Sequence, residues 1–342
     1  REALEEAQRI AHIGSWRWEV ATGEIDWSTE MFRIHQLDPA TFHPNAESLD
    51  ALCHPDDRPA RAEAIRQAAV GGGTFDVEYR IVLPDGTLRS LHGLGTAVAG
   101  PSGAPVELIG TVQDVTERRK LEAARSEFIA NAAHELRTPL TTLAGMAMLL
   151  ASHRRELPEP VADEAFDALG RQGERARVLI NNMLDLSQLD AQRISIRLEV
   201  VPLAGVVARA RELVVQPEGT AVEVSIANCL SALADPARLE QVLTNLLANA
   251  YRYGGPHVRI EAAECEGCVR LAVSDDGPGV PADLVATLFE PFTRGASVTG
   301  TVGSGLGLAI SRRLVEAFQG RMTYEDQPPH GSRFVVELKA AA

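Results

Sequence analysis

Four cysteines in 342 residues, Cys53, Cys229, Cys265 and Cys268, are too few and too scattered for a disulfide framework, so a reducing compartment is the simpler setting. Basic residues are outnumbered, 33 against 47, and the net charge of -14 argues against nucleic acid as a partner. There is no run of about 18 apolar residues, so no membrane span is expected. There is also no signal peptide. The expected location is cytoplasmic. The chain opens at Arg1 rather than Met and reads as a fragment, so a membrane span associating the full-length protein with a membrane, or another sensor, is left to a part upstream of Arg1. A Walker A lysine pattern is missing, and the one glycine run before a helix follows a loop, which disfavours a P-loop or Rossmann site. Cys265-x-x-Cys268 spans Glu266-Gly267, a turn pair; zinc would need two more ligands, and a plain strand hairpin is expected.

Three regimes are present. From about 10 to 115, apolar and polar residues alternate, as in Ser15–Val20 and Phe75–Leu83, with turns at Thr22-Gly23 and Pro84-Asp85-Gly86. Short helices are expected over Ser28–Leu37 and Pro59–Val70. From Val115 to about Arg193 the pattern turns helical. Leu179, Met183, Leu186 and Leu189 form a stripe at steps of three and four. Pro158 and Pro160 divide this region into helices over roughly 116–154 and 161–191. Two such helices cannot bury both stripes alone, and pairing with a second copy in a four-helix bundle is the economical solution. From Ser195 onward strands and helices mix again, with strands expected at Ala221–Ile226, Val258–Ala263, Val269–Ser274 and Arg333–Leu338, and helices at Pro236–Tyr251 and Gly307–Phe318.

Several motifs bear on chemistry. His134 lies in Asn131-Ala132-Ala133-His134-Glu135-Leu136-Arg137-Thr138-Pro139-Leu140, on an exposed stretch of helix. Asn245 and Asn249 are four apart and share a helix face, where amide oxygens suit Mg²⁺ once phosphates and water complete the octahedron. Asp275 ends an apolar strand and can accept from an exocyclic amine. Gly277 and Gly279 let backbone approach a ligand. Gly303-Ser304-Gly305-Leu306-Gly307 opens a helix, whose N-terminus favours phosphate. A reactive imidazole in one segment and a magnesium-nucleotide site in another point to phosphoryl transfer onto histidine.

In this order and spacing the set resembles the sensor histidine kinases of two-component systems, over nearly the whole chain. Phe128–Leu140 looks like the H box, Gln241–Gly254 the N box, Asp275–Gly279 and Gly303–Gly307 the G boxes, and Phe289–Phe292 the F box, with Gly331-Ser332 a last glycine motif. The front module resembles a PAS domain, leaving through Asp114-Val115-Thr116-Glu117-Arg118 into a signalling helix. The resemblance implies a multidomain α+β chain. It would consist of a PAS-like sensor (1–115), a linker helix (116–126), a dimerisation and phosphotransfer hairpin forming a dimeric four-helix bundle (127–193), and a Bergerat-type α/β sandwich that binds ATP (194–342).

The resemblance also implies roles. His134 would accept the phosphoryl group, Glu135 would orient the imidazole and take its proton, and Thr138 would place water for hydrolysis of the partner's phospho-aspartate. Pro139 is expected to bend the helix beside His134. Asn249, assisted by Asn245, would hold Mg²⁺. Asp275 would read the adenine amine, Gly279 would line its pocket and Tyr253 would pack on the base. Arg252 stands where the family often has lysine. Arg294 would reach the γ-phosphate, and Gly295–Val302 fits a lid. Ser332 replaces a commoner threonine. A homodimer would autophosphorylate with Mg-ATP and pass the group to the receiver domain of a response regulator, with signal travelling through Thr116–Phe128. Two alternatives stand beside this: another ATPase of the gyrase, chaperone and mismatch-repair superfamily, and a degenerate kinase acting as scaffold or phosphatase.

No sensor ligand is legible in the sequence. Trp16, Trp18 and Trp27 read as core packing. Leu52-Cys53-His54-Pro55 does not resemble the flavin-adduct motif. Nothing singles out a haem ligand among His12, His35, His43, His54 and His92.

Overall fold

A computed structural model describes residues 2–101, 103–153, 158–190, 194–227, 229–294, 304–328 and 330–341. It divides into two compact units, Arg1–Glu127 and Phe128–Ala342.

The first unit runs through helix α1 (Glu2–Ala11), strands β1 (Ile13–Glu19) and β2 (Ile25–Trp27), helices α2 (Thr29–His35), α3 (Ala46–Leu52) and α4 (Arg58–Gly71), and strands β3 (Thr74–Val82), β4 (Leu88–Ala99) and β5 (Pro105–Asp114). The strands form one antiparallel sheet in the order β2-β1-β5-β4-β3. Alternation in β3 buries Phe75, Tyr79 and Ile81. They meet Met31 and Ile34 of α2 and Ala68 of α4 in two apolar clusters. The expected helices form as α2 and α4. Helix α3 is an addition, fixed by a capping box in which Ser48 N–H donates to Asn45 Oδ1 (2.8 Å) and Asn45 N–H to Ser48 Oγ (3.0 Å).

The exit from the sheet is a polar clasp. Helix α5 (Thr116–His153) starts with Thr116 N–H donating to Asp114 Oδ1 at 3.0 Å, while Ser90 N–H of β4 donates to Thr116 Oγ1 at 3.0 Å. Arg89 Nε lies 3.3 Å from Asp114 Oδ2. The first turn of α5 is therefore tied to the middle of the sheet.

In the second unit α5 continues unbroken through a buried Pro139 and is followed by α6 (Glu159–Asp190). Then come β6 (Glu199–Pro202), α7 (Leu203–Leu213), β7 (Ala221–Ile226), β8 (Ser231–Ala234), α8 (Pro236–Tyr253), β9 (His257–Cys265), β10 (Cys268–Asp275), α9 (Ala282–Val285), α10 (Gly307–Ala317), β11 (Arg321–Asp326) and β12 (Ser332–Lys339). The main sheet has the order β11-β12-β10-β9-β7, antiparallel except for the β7–β9 pair, and β6 pairs with β8 separately. Helices α7, α8 and α10 bury Val206, Leu243, Leu246, Ile310 and Leu314 against Ile260, Leu271 and Val336 of the sheet, giving an α/β sandwich.

Two findings amend the sequence reading. The stripe on α6 does not wait for a second copy. Leu179 and Leu186 are buried in the same cluster as the sandwich, with Met183 and Leu189 packed against it. At the β9–β10 hairpin the strands pair as expected, and Cys265 and Cys268 additionally face each other in register and are joined as a disulfide.

Candidate functional site

Helix α8 positions the asparagines. Asp235 caps it, accepting from Ala237 N–H (3.1 Å) and Arg238 N–H (3.2 Å), and Pro236 fills the first turn, where its missing N–H costs nothing. Leu239, Val242, Leu243, Leu246 and Leu247 are buried, which leaves Asn245 and Asn249 half-buried on another face. Asn245 Nδ2 donates to Ser311 Oγ of α10 at 2.9 Å. The start of α10 presses on the same amide: a Cβ at Gly307 would lie 2.1 Å from Asn245 Oδ1. Only glycine lets the positive end of α10 come this close to an amide oxygen. The Asn249 side chain makes no hydrogen bond among the described residues. An amide held beside a helix N-terminus and a second one four residues on, unengaged, suit a divalent cation shared with phosphate oxygens.

Asp275 ends β10 and is 7% exposed. Its Oδ1 accepts from Gly277 N–H at 3.0 Å and from Ser332 N–H at 3.4 Å. Burial raises its pKa, opposed by those two backbone donors. Gly331, at φ 131°, brings its own backbone against this residue: a Cβ there would lie 2.0 Å from Asp275 C=O. The last glycine motif thus closes one side of the Asp275 cradle, with Gly279 nearby, 3.3 Å from Gly331 C=O measured from an added Cβ. The carboxylate is held by one oxygen, and a base amine can be read by the other.

Arg252 and Tyr253 end α8, exposed, with the guanidinium carbon 5.9 Å from the ring centroid. Gly305 C=O accepts from Phe292 N–H at 2.9 Å. Gly303 and the expected lid, 295–302, lie outside the described residues.

On α5, His134 and Thr138 are exposed, and Glu135 is half-buried. Glu135 Oε1 accepts from Arg294 Nη1 at 3.1 Å. The Phe128 and Phe292 rings are 5.4 Å apart. On α6, Asp185 lies 3.3 Å from Arg238 Nη1 and accepts from Gln241 Nε2 at 2.8 Å. Beside the apolar packing of Leu179 and Leu186, helices α5 and α6 therefore meet the sandwich through the polar pairs of Glu135 and Asp185 and the Phe128–Phe292 ring contact.

Among the expected site residues, the structure brings together Asp275, Gly277 and Ser332, sets Asn245 against Gly307, and joins Glu135 to Arg294. Sequence reasoning missed Ser311, the Asn245 partner, and Tyr324, whose hydroxyl accepts from Val280 N–H (3.1 Å) and donates to Asp326 (2.6 Å). Ser311 sits four residues after Gly307, a turn into the helix that the glycine motif opens, and that spacing is the signal that was available.

Three family models match successive parts of the chain. Residues 24–112 match the PAS fold, 124–192 the His Kinase A (phospho-acceptor) domain, and 234–342 the histidine kinase-, DNA gyrase B- and HSP90-like ATPases. The alginate biosynthesis sensor protein KinB of Pseudomonas aeruginosa is 33% identical over 251 residues, 70% of this chain and 41% of that protein. Sensor protein SrrB of Staphylococcus aureus is 29% identical over 246 residues, with the same coverage of each. The chain thus spans 41% of the length of these relatives. The Acinetobacter baumannii histidine kinase AdeS superposes with a TM-score of 0.50 at 25% identity, covering 61% of this chain and 98% of that one.

Proposed function

The chain belongs to the sensor histidine kinases of two-component systems, and from that membership we propose that it is an ATP-dependent protein-histidine kinase acting on its own His134. One observation carries the reading. The Glu135–Arg294 contact, 3.1 Å between residues 159 apart in sequence, joins the neighbour of the acceptor histidine to the segment beside the nucleotide site.

In the proposed reaction an imidazole nitrogen of His134 attacks the γ-phosphorus of ATP. A P–N bond forms, the bond to the bridging oxygen breaks, and ADP leaves. Glu135 takes the imidazole proton. Asp275 holds the adenine through its exocyclic amine, and Tyr253 flanks the base. The N-terminus of α10, with Gly305 and Gly307, receives the phosphates. Asn249 and Asn245 would hold Mg²⁺, whose role when bound is charge neutralisation on the phosphates. Arg252 and Arg294 add positive charge at the same end. His134 is exposed, as a group serving two partners must be, and the phosphoryl group passes on to an aspartate of a receiver domain. Thr138, exposed one turn from His134, would place the water for a separate phosphatase reaction, hydrolysis of the receiver's phospho-aspartate to aspartate and inorganic phosphate. The chain acts as a homodimer through its helical hairpin. The domain limits are those expected from the sequence, 1–115, 116–126, 127–193 and 194–342.

The test is incubation with γ-labelled ATP and Mg²⁺, beside His134→Gln, followed by acid and alkali. Acid-labile, alkali-stable label that is lost in the variant is the expected result. Absence of label in a wild type that binds nucleotide overturns the kinase reading.

A further inference from the structure

Where β9 begins, its ladder with β10 stops one step short. The last pair is Asp275 with Val258, and the next in register would set Asp276 opposite His257. Strand pairing does not continue there. Asp276 turns its side chain back and serves the donor that a neighbouring strand would have served. Its Oδ1 accepts from His257 N–H at 2.9 Å. Its Oδ2 lies 2.7 Å from His257 Nδ1, a hydrogen bond when that nitrogen carries the proton. One residue thus grips both oxygens of one carboxylate. These bonds, the backbone N–H first and the ring second, hold the Asp276 carboxyl below the usual carboxylate range.

The two segments joined by this grip are the ones that carry the proposed base contacts. Helix α8 ends at Tyr253, and only Gly254-Gly255-Pro256 separates it from His257. Asp276 directly follows Asp275. The two backbones press together with no room for side chains between them. A Cβ at Gly255 would stand 2.3 Å from Asp276 Oδ1, and one at Gly277 would stand 2.6 Å from Gly254 Cα and 2.8 Å from Tyr253 C=O. The Asp276 and His257 side chains are 43% and 72% exposed, so their pairing adds little to global stability. Its effect is local, on how the turn after β10 sits against the end of α8.

We propose that Asp276, gripped by His257, is a positioning residue for the nucleotide: it fixes the turn after β10 against the end of α8, so that the free oxygen of Asp275 and the ring of Tyr253 meet one base at a set spacing. This role rests on Asp275 being the adenine reader proposed above. Both Asp276 oxygens are engaged by His257, which leaves recognition of the amine to Asp275. A turn ordered before nucleotide arrives does not draw on binding energy to become ordered. Released from His257, the turn samples other arrangements, and the fraction with the reader in place sets the apparent affinity. Bound nucleotide selects the same arrangement in either case. Ground state and transition state then lose equally, and the rate at saturating ATP is kept.

The test titrates the full chain with ATP and Mg²⁺ by calorimetry and follows autophosphorylation over a range of ATP. Asp276→Ala is expected to weaken ATP by about three- to tenfold, with the rate at saturating ATP and the thermal melting without nucleotide unchanged. Asp276→Asn keeps an acceptor for His257 N–H and can donate to Nδ1 in the other tautomer, so it should restore most of the affinity. His257→Ala keeps the backbone bond and loses the ring, and it should fall between wild type and Asp276→Ala. Combined with Asp276→Ala it should add no further loss. Should Asp276→Ala melt early, Asp276→Asn and His257→Ala carry the comparison. Asp275→Asn is the reference. If it weakens ATP and Asp276→Ala does not, positioning is overturned and the adenine reader stands. If neither weakens ATP, the adenine reader fails and positioning falls with it. A rate that drops at saturating ATP, or a loss of affinity that Asp276→Asn shares in full, also overturns the proposal.

Discussion

Glu135 Oε1 and Arg294 Nη1 are 3.1 Å apart, which places the proposed proton acceptor and the proposed γ-phosphate ligand in one ion pair. Arg294 is 41% exposed, and a pair so open to water contributes about 1 kcal/mol at most. Nucleotide phosphates can therefore take the arginine and release the carboxylate. Glu135→Gln should lower the autophosphorylation rate by roughly 10²-fold or more with little change in the apparent KM for ATP. Arg294→Gln should mainly raise that KM. A rate titration against ATP separates the two, and identical effects from both variants would contradict the division of roles.

Asp275→Asn tests the base reader. The amide oxygen can still accept from Gly277 and Ser332, so thermal melting without nucleotide should barely move. The amide nitrogen then faces the adenine amine donor to donor, and ATP affinity should fall by about 10- to 100-fold, measurable by calorimetry.

Gly307→Ala should act against the ordinary trend. Alanine in a helix is usually worth about 1 kcal/mol over glycine. Here the methyl would meet Asn245 Oδ1 at 2.1 Å and displace it from Ser311. ATP affinity should drop by about tenfold or more at saturating Mg²⁺. A variant that melts higher and binds ATP normally would contradict the placement of Asn245.

His35 gives the first unit an acid sensitivity. Its folded pKa of about 4 lies below the ordinary value near 6.5. Between those values the unfolded chain binds a proton that the folded chain does not, so stability is full above about pH 6.5 and falls as pH drops toward 4. The loss between pH 7 and 5 should be about 2 kcal/mol in urea melts followed by tryptophan fluorescence. His35→Gln should remove most of it. Asp57, held at about pKa 2 by its hydrogen bonds from Arg80, acts in a separate window, losing its contribution as pH falls from about 4 through 2.

The clasp of Asp114, Thr116 and Ser90 predicts how the sensor speaks to α5. Asp114→Ala should destabilise the first unit by about 1 kcal/mol. One residue inserted after Arg125 turns the remainder of the helix by about 100° and should change kinase output in the label assay. Unchanged output after that insertion would rule out rigid coupling through the helix.

The proposed nucleotide site could be assembled from the sequence because each of its residues carries its own local reason. Asp275 ends an apolar strand, Asn245 and Asn249 share a helix face, and glycines mark close backbone approach. What sequence could not give was the distance from one motif to another: Ser311 against Asn245, Gly331 against Asp275, or Arg294 against Glu135. The α6 stripe shows the same limit. Periodicity says that Leu179 and Leu186 must be covered, and either a partner helix or the sandwich satisfies it. For Trp16, Trp18 and Trp27, alternation fixed the face of the sheet and was silent on whether α3 and α4 fill the space opposite. Helix α3 could have been read from Asn45 and Ser48, three apart and matched for capping.

Phe292 adopts φ 65°, a left-handed backbone uncommon for a side chain of this size, and its N–H reaches Gly305 C=O at 2.9 Å. That one hydrogen bond joins Phe292 to Gly305, and the Phe292 ring packs on Phe128 of the helix that carries His134. Backbone held in this way has surrendered part of its freedom before any ligand arrives. A change at Phe128 would therefore loosen the approach to α10 from a position that itself contacts no proposed nucleotide ligand, so anchorage and nucleotide contact can evolve as separate dials.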